Sequence, residues 1–410
     1  MPPGTGSRVT PLRSVVLVEE HPASAAGGIA LRNAANIAGL TALGPVTVVG
    51  ANDRTGPLPR SALGEHGAFG LGVSTLPDRQ DRWARRNDGH PSDARWTPAA
   101  EAILLALLRR CRPDVVVVEQ LWLHRYIGAT RAVGAFVVLD AHNVESSVYG
   151  QVAAAARQER RELDRLMAQR TAAIEQRAIT AVDQVWACSA DDRNWFADHG
   201  VDAWLVPNVV DTTCPPRRGP APEPLLAFMG SFAYPPNQRA ASMLVDEVLP
   251  AVARLVDGAT LALVGHSPPM WLRDQADRRS DIEVTGTVPS IQPWLERALA
   301  VVVPLREGGG TRFKILEAMA AGVPVVSTPK GVEGLDLVSG QEVLVGDTPA
   351  ELAQLTAQLW RDPTKGASIA GRARAAVEGH HSYANAAEHI RAALTSAGAR
   401  LRRMHAGDSG

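Results

Sequence analysis

The 410-residue sequence predicts an α/β protein of two doubly wound, Rossmann-like domains. Three observations predict it. The length exceeds what one hydrophobic core usually organises. Short β-branched runs alternate with longer helical patterns through both halves, the rhythm of parallel βαβ units covered on both faces. Between the halves the segment PNVVDTTCPPRRGPAPEP, residues 207–224, is rich in proline and has no periodicity, as an exposed linker does.

In chain order, the first half predicts strands at Ser14–Val18, Val46–Val49, Val115–Val118, Phe136–Leu139, Gln184–Ala187 and Ala203–Val206. The second half predicts them at Leu225–Met229, Thr260–Val264, Ile282–Thr285, Ala300–Val303, Pro324–Ser327 and Glu342–Val345. Each set is large enough for its own sheet. Leu163, Leu166, Met167, Ile174 and Ala178 fall at helical spacing and predict one long helix over Ala153–Thr180. Another helical pattern runs from Ala367 to Leu401. The expected organisation is a first domain over 1–208, a linker over 209–222 and a second domain over 223–375. A C-terminal helix follows over 376–400, able to pack back on the first domain, with a polar tail over 401–410.

Basic and acidic residues number 42 and 43, for a formal charge of -1, so no global attraction draws the chain to nucleic acid or an anionic membrane. The three cysteines, Cys111, Cys188 and Cys214, have no metal-ligand spacing, as expected of a reduced, cytoplasmic protein. The N-terminal MPPGTGSRVTPLRS lacks an apolar leader core, and no segment offers about 18 uninterrupted apolar residues. The arginines of residues 153–180 leave open a peripheral contact at the inner membrane face, but interleaved Glu159, Glu162, Asp164 and Glu175 favour a solvated, salt-bridged face.

The chemistry concentrates in PLREGGGTRFKILEAMAAGVPVVS, residues 304–327. A predicted strand runs into a glycine triplet and then a helix, the junction where open α/β sheets bind ligands. Gly308, Gly309 and Gly310 let backbone N–H groups approach an anion, and the helix dipole favours a diphosphate there. Thr311 can cap the helix. Arg312 and Lys314 place cations where the dipole prefers acids, which points to an anionic ligand. Glu317, about two turns into the helix, can accept hydrogen bonds from a vicinal diol such as ribose. Neither a GxxxxGKS phosphate loop nor a GxGxxG fingerprint is present.

With VPNVVD, MGSFAYPPN, LVGH, VTGTV and GGGTRFKILEAMAAGVPVVSTPKGVEGL, nearly the whole chain resembles the GT-B retaining glycosyltransferases, in particular glycosyltransferase family 4. The resemblance implies two Rossmann-like domains facing a central cleft, with the donor on the second and the acceptor on the first. It implies ribose binding by Glu317 and donor phosphates against Gly230 and Ser231. The loop of Thr285–Val288, with Val288 at its end, then meets the nucleobase through backbone amides. One departure stands out. The family's usual pair of glutamates is separated by seven residues, but eight positions before Glu317 stands Gly309; Glu307 is ten before it. The sequence therefore resembles a GGGTRxKxLEAMA subgroup in which the role of Glu307 is open.

In the first half, Gly27 and Gly28 after strand Ser14–Val18 can bring backbone to the donor. Asp140, His142, Asn143 and Glu145 stand at a strand's carboxyl end, where catalytic groups collect. The resemblance implies that His142 lies near the donor sugar; Glu119 and Asn143 are candidates for the acceptor side. The expected activity is transfer of a sugar from a UDP-, GDP- or TDP-linked donor to a hydroxyl of a lipid-linked glycan or a small molecule, with retention of anomeric configuration. His142, Glu307, Arg312 and Lys314 are the candidate catalytic groups. No metal or other cofactor is expected, since no DxD tag is present and cations can stabilise the leaving diphosphate. A GT-B nucleotide-sugar epimerase and a non-catalytic nucleotide-sugar-binding protein are the alternatives.

Overall fold

The structure is a computed structural model; it describes residues 11–19, 27–51, 55–57, 67–73, 89–154, 158, 160–217, 219–309 and 312–398. Strands β1 (Ser14–Val18), β2 (Val46–Gly50), β3 (Thr55–Pro57), β4 (Gly67–Leu71), β5 (Val115–Glu119), β6 (Phe136–Ala141), β7 (Gln184–Ala187) and β8 (Ala203–Leu205) form one sheet. Its order is β3-β4-β2-β1-β5-β6-β7-β8, parallel except where β3 runs against β4. Strands β9 (Leu225–Met229), β10 (Thr260–Val264), β11 (Ile282–Gly286), β12 (Ala298–Val303), β13 (Val325–Ser327) and β14 (Leu344–Val345) form a second, parallel sheet ordered β11-β10-β9-β12-β13-β14. This is the expected pair of doubly wound domains.

Helices cover both faces, so central strands are buried at every position and read as continuous apolar runs: VVVVE in β5 and ALAVVV in β12. The edge strand β3 and its neighbour β4 have no such signal; GAFGL is glycine-rich and not β-branched. Strand order reverses between β1 and β5 in the first sheet and between β9 and β12 in the second. At each reversal neighbouring loops leave in opposite directions and open a crevice at the strands' carboxyl ends.

The single helix expected over 153–180 is instead two, Glu145–Ala154 and Arg161–Ala181, packed against each other. Glu175, in the middle of the second, accepts hydrogen bonds from the backbone N–H of Glu145 at 2.7 Å and of Ser146 at 3.2 Å. That carboxylate caps the first helix and fixes the hairpin. The C-terminal pattern is likewise broken, into Pro363–His380 and Tyr383–Ser396, where Ser382 and Asn385 form a reciprocal cap.

Helix Tyr383–Ser396 lies on helix Gly28–Thr41 and sends Ile390, Ala393 and Leu394 into the core with Val16, Val18 and Phe136. The two chain crossings between domains run side by side: Val210 N–H donates to His381 O at 2.9 Å, and the His381 ring meets Asn208 O at 2.7 Å. Cys111, Cys188 and Cys214 form no disulfide. Among the described residues, no helix is long and apolar enough to cross a membrane.

Candidate active site in the interdomain cleft

A cleft of about 1720 Å³ lies between the carboxyl ends of the two sheets. Of the residues singled out in the sequence, Gly27, Gly28, His142 and Asn143 line it from the first domain. Gly230, Ser231, Val288, Gly309, Arg312, Lys314 and Glu317 line it from the second. Gly310 and Thr311 lie outside the described residues. Two candidates stand back from the cleft. Glu307 is not among its lining residues; its carboxylate pairs with Arg239, which is. Nor does Glu119 reach an acceptor directly, since it is fully buried behind His142.

The second-domain wall is built by β9, β12 and the helix Phe313–Ala320. After β9 the chain turns at Gly230, φ +156°, where a Cβ would fall 2.8 Å from Asn237 Nδ2 and 3.2 Å from Lys314 Nζ. Glycine is required there to let the lysine in. Lys314 Nζ donates to Asn237 Oδ1 at 2.7 Å and stands 4.2 Å from the Phe228 ring centroid. Burial, reinforced by the Arg312 charge, pulls the Lys314 ammonium down to about 7. Arg312 is 7 % exposed; its Nη2 donates to Gly308 O at 2.9 Å and its Nη1 to Gly309 O, while Nε has no partner. Burial also lowers the guanidinium pKa. Neither cation forms a salt bridge with a carboxylate among the described residues. One turn along, Glu317 faces the cleft with no hydrogen-bond partner among the described residues, and burial pushes its carboxyl up to about 7.

The two domains touch at the glycine loop. Gly308 N–H donates to Gln151 Oε1 at 3.3 Å. A Cβ at Gly309 would fall 2.6 Å from Val148 Cγ2 and 3.0 Å from Asn143 Oδ1. A side chain at position 309, where the resemblance leads one to expect glutamate, has no room in this arrangement.

On the first-domain wall, His142 follows β6 and rests on a buried ionic network. Its Nε2 lies 3.2 Å from Asp140 Oδ2 and 3.4 Å from Glu119 Oε2, while Nδ1 lies 3.4 Å from Gln120 Nε2. Arg32 grips Asp140 with two bonds, of 2.7 and 2.5 Å, and reaches Val206 O and Asn208 Oδ1 at 2.9 Å each. Asn36 Nδ2 donates to Glu119 Oε1 at 3.2 Å. Burial alone would raise Asp140, but Arg32 and His142 outweigh it and hold the carboxyl below the usual carboxylate range. Burial and the neighbouring Asp140 charge push Glu119 up to about 8. Burial opposes charge on His142 too, yet its bonds to Asp140 and Glu119 prevail and raise its pKa. Glu119, Asp140 and His142 converge closely enough for a metal ion, with ligand atoms within 4.8 Å of one another. Both oxygens of Asp140 already hold the Arg32 cation, so the donor set fits a metal poorly.

Sequence reasoning missed Arg32, Trp122 and Tyr149, whereas Asn237 is marked by its place in MGSFAYPPN after β9. Arg32 carries no local signal, since it finds its partner 108 positions away.

Two facing doubly wound domains with a polar cleft at their switch points constitute the GT-B arrangement, and solved structures agree. Sucrose-phosphate synthase from Thermosynechococcus elongatus superposes with a TM-score of 0.72 at 15 % identity, over 96 % of this chain and 100 % of that one. HepE of Anabaena, in complex with UDP-glucose, gives 0.65 at 15 % identity, over 93 % and 99 %. The E. coli trehalose-6-phosphate structure bound with UDP-2-fluoro glucose gives 0.62 at 11 % identity, over 93 % and 98 %. The family model described as Glycosyltransferase Family 4 matches residues 26–213, and that described as Glycosyl transferases group 1 matches residues 223–362. The chain belongs to the family-4 glycosyltransferases of GT-B fold. No curated protein matches the sequence.

Proposed function

We propose that the chain transfers a sugar from a nucleoside-diphosphate sugar to an acceptor hydroxyl, with retention of anomeric configuration and without a catalytic metal. One observation carries the reading: two cations, the buried Arg312 and the half-buried Lys314, stand at the start of the helix Phe313–Ala320 without a carboxylate partner among the described residues, and Glu317 follows one turn on. Cations withdrawn from water without a counter-charge are costly, and a diphosphate relieves that cost while the helix N-terminus adds to its binding. Glu317 accepts from the ribose diol, and Val288 borders the base. Solved neighbours that hold UDP or UDP-glucose support a nucleotide-sugar donor.

What faces the sugar supports retention without a covalent intermediate. Among the described residues, the first domain offers no ionised, unpartnered carboxylate as a nucleophile. Glu119 and Asp140 lie behind His142, and Glu145 is bonded to Asn143 and pushed up to about 7 by burial. The departing diphosphate oxygen then takes the acceptor's proton on the face from which it leaves, with Lys314, Arg312 and backbone N–H groups stabilising its charge. His142 meets the sugar from the opposite wall.

Calorimetric titration with UDP, GDP and TDP tests the site. Glu317→Ala and Lys314→Ala should each weaken the preferred nucleotide at least tenfold; unchanged affinity in both removes the site. Turnover should survive excess chelator, and donor incubated without acceptor should not epimerise.

A further inference from the structure

The cleft wall opposite Lys314 carries a feature that the donor reading does not use. Trp122 and Tyr149 meet there at 72° with ring centroids 5.9 Å apart, forming a corner rather than a slot. The corner is held rigid from behind. His90, 2 % exposed, stacks on Trp122 at 5.4 Å and 15°, and its ring nitrogens are fixed by Ser92 Oγ at 2.8 Å and Thr171 Oγ1 at 3.2 Å. Val152 and Met167 complete an apolar floor. Both aromatics keep their polar handles free: neither Trp122 Nε1 nor Tyr149 Oη has a hydrogen-bond partner among the described residues. The corner also adjoins the glycine loop, because Val148, the residue before Tyr149, lies against Gly309.

Resting on the glycosyltransferase reading, we propose that this corner is the acceptor subsite and that the acceptor it takes is a neutral pyranoside. A pyranose ring has an apolar C–H face and an equatorial fringe of hydroxyls, which matches an aromatic corner with two free donors beside it. Two parallel rings would suit a planar aromatic acceptor, but these are nearly perpendicular. A phosphorylated acceptor needs a free cation, and the one arginine among the described lining residues of this wall, Arg160, sits at the rim within 4.0 Å of Asp164. The sugar's hydroxyl beside Asn143 then points at the glycine loop, where the donor diphosphate binds.

The full-length protein labelled with 5-fluorotryptophan, saturated with its preferred nucleoside diphosphate, provides the test. The Trp122 resonance is assigned by its loss in Trp122→Phe. Methyl glucoside, galactoside, mannoside and rhamnoside are titrated beside glucose 6-phosphate and 4-methylumbelliferone. At least one neutral pyranoside should shift the Trp122 signal saturably, and Trp122→Leu should weaken its binding at least fivefold while nucleotide affinity stays within twofold. Tighter binding of the sugar phosphate or the planar phenol at this resonance overturns the proposal, as does the absence of a saturable shift with every pyranoside. Nucleotide affinity in the same samples separates the two readings, since failure of the donor site abolishes the Glu317-dependent binding and failure of the acceptor inference leaves it intact.

Discussion

Gly309 of the second domain lies so close to Val148 of the first that a Cβ built on it falls 2.6 Å from the valine's Cγ2. Contacts that short do not persist, so the domains come together here only because position 309 has no side chain. The missing family glutamate is thus matched by a complementary bulge on the facing helix.

Gly309→Ala should therefore hold the cleft apart and lower kcat/KM for glycosyl transfer at least tenfold. Val148→Ala removes the methyl that collides, and the double variant should recover most of the loss. A double variant no better than Gly309→Ala would show that the contact does not control closure.

Nucleotide affinity should peak near neutral pH. The Lys314 ammonium, lowered to about 7 by burial and Arg312, loses its charge as pH rises through that value, and attraction for a diphosphate goes with it. The Glu317 carboxyl, raised to about 7 by burial, loses its charge as pH falls through the same value, and so stops accepting from the ribose diol with both oxygens. Each limb should change the dissociation constant by at most about tenfold per pH unit. Calorimetry from pH 5.5 to 9 checks this, and Lys314→Met should flatten the alkaline limb and, by removing the cation that lowers the Glu317 carboxyl, move the acid limb to higher pH.

The Arg32–Asp140 pair is buried on both sides, with side chains 2 % and 0 % exposed. Removing one member strands the other charge in the core, so Arg32→Met should cost about 3–5 kcal/mol of first-domain stability. Scanning calorimetry of the wild type and the variant checks this; a loss below about 1 kcal/mol would contradict the geometry described.

Glu119 titrates with the opposite consequence for stability. Its folded pKa of about 8 lies above its ordinary 4.5, so the stability it contributes is present below pH 4.5 and is lost as pH rises toward 8. Between those values the slope is at most about 1.4 kcal/mol per pH unit for one group. Glu119→Gln mimics the protonated carboxyl and should reduce the slope of melting temperature against pH over this window, as read by calorimetry at several buffers. An unchanged slope would falsify the assignment of a raised carboxyl at this position.

The parallel strands of both domains were legible because a strand covered on both faces must be apolar throughout: VVVVE and ALAVVV announce themselves. Thr55–Pro57 was not, because an edge strand needs no such composition, and Gly67–Leu71 beside it was not, because its glycines break the β-branched run. Helix identity in 153–180 was readable, but its interruption and the start of the first helix at Glu145 depend on Glu175 bonding backbone groups about 30 positions earlier, which no local pattern encodes. The same holds at the cleft. The cationic wall is local, within a single helix and its leading loop, so spacing exposed it. The His142 network and the Trp122 corner are assembled from loops far apart in sequence, and Glu119 at the end of an apolar run reads equally well as a cleft residue or a buried one.

The packing of Ile390, Ala393 and Leu394 into the first domain's core has a consequence for biogenesis. During translation, residues 14–205 emerge first, yet part of one face of their sheet, beside helix Gly28–Thr41, stays uncovered until residues 383–396 have left the ribosome, after the whole second sheet. The first domain to be made is the last to be finished, and the nascent chain must carry an exposed apolar surface through the synthesis of its neighbour.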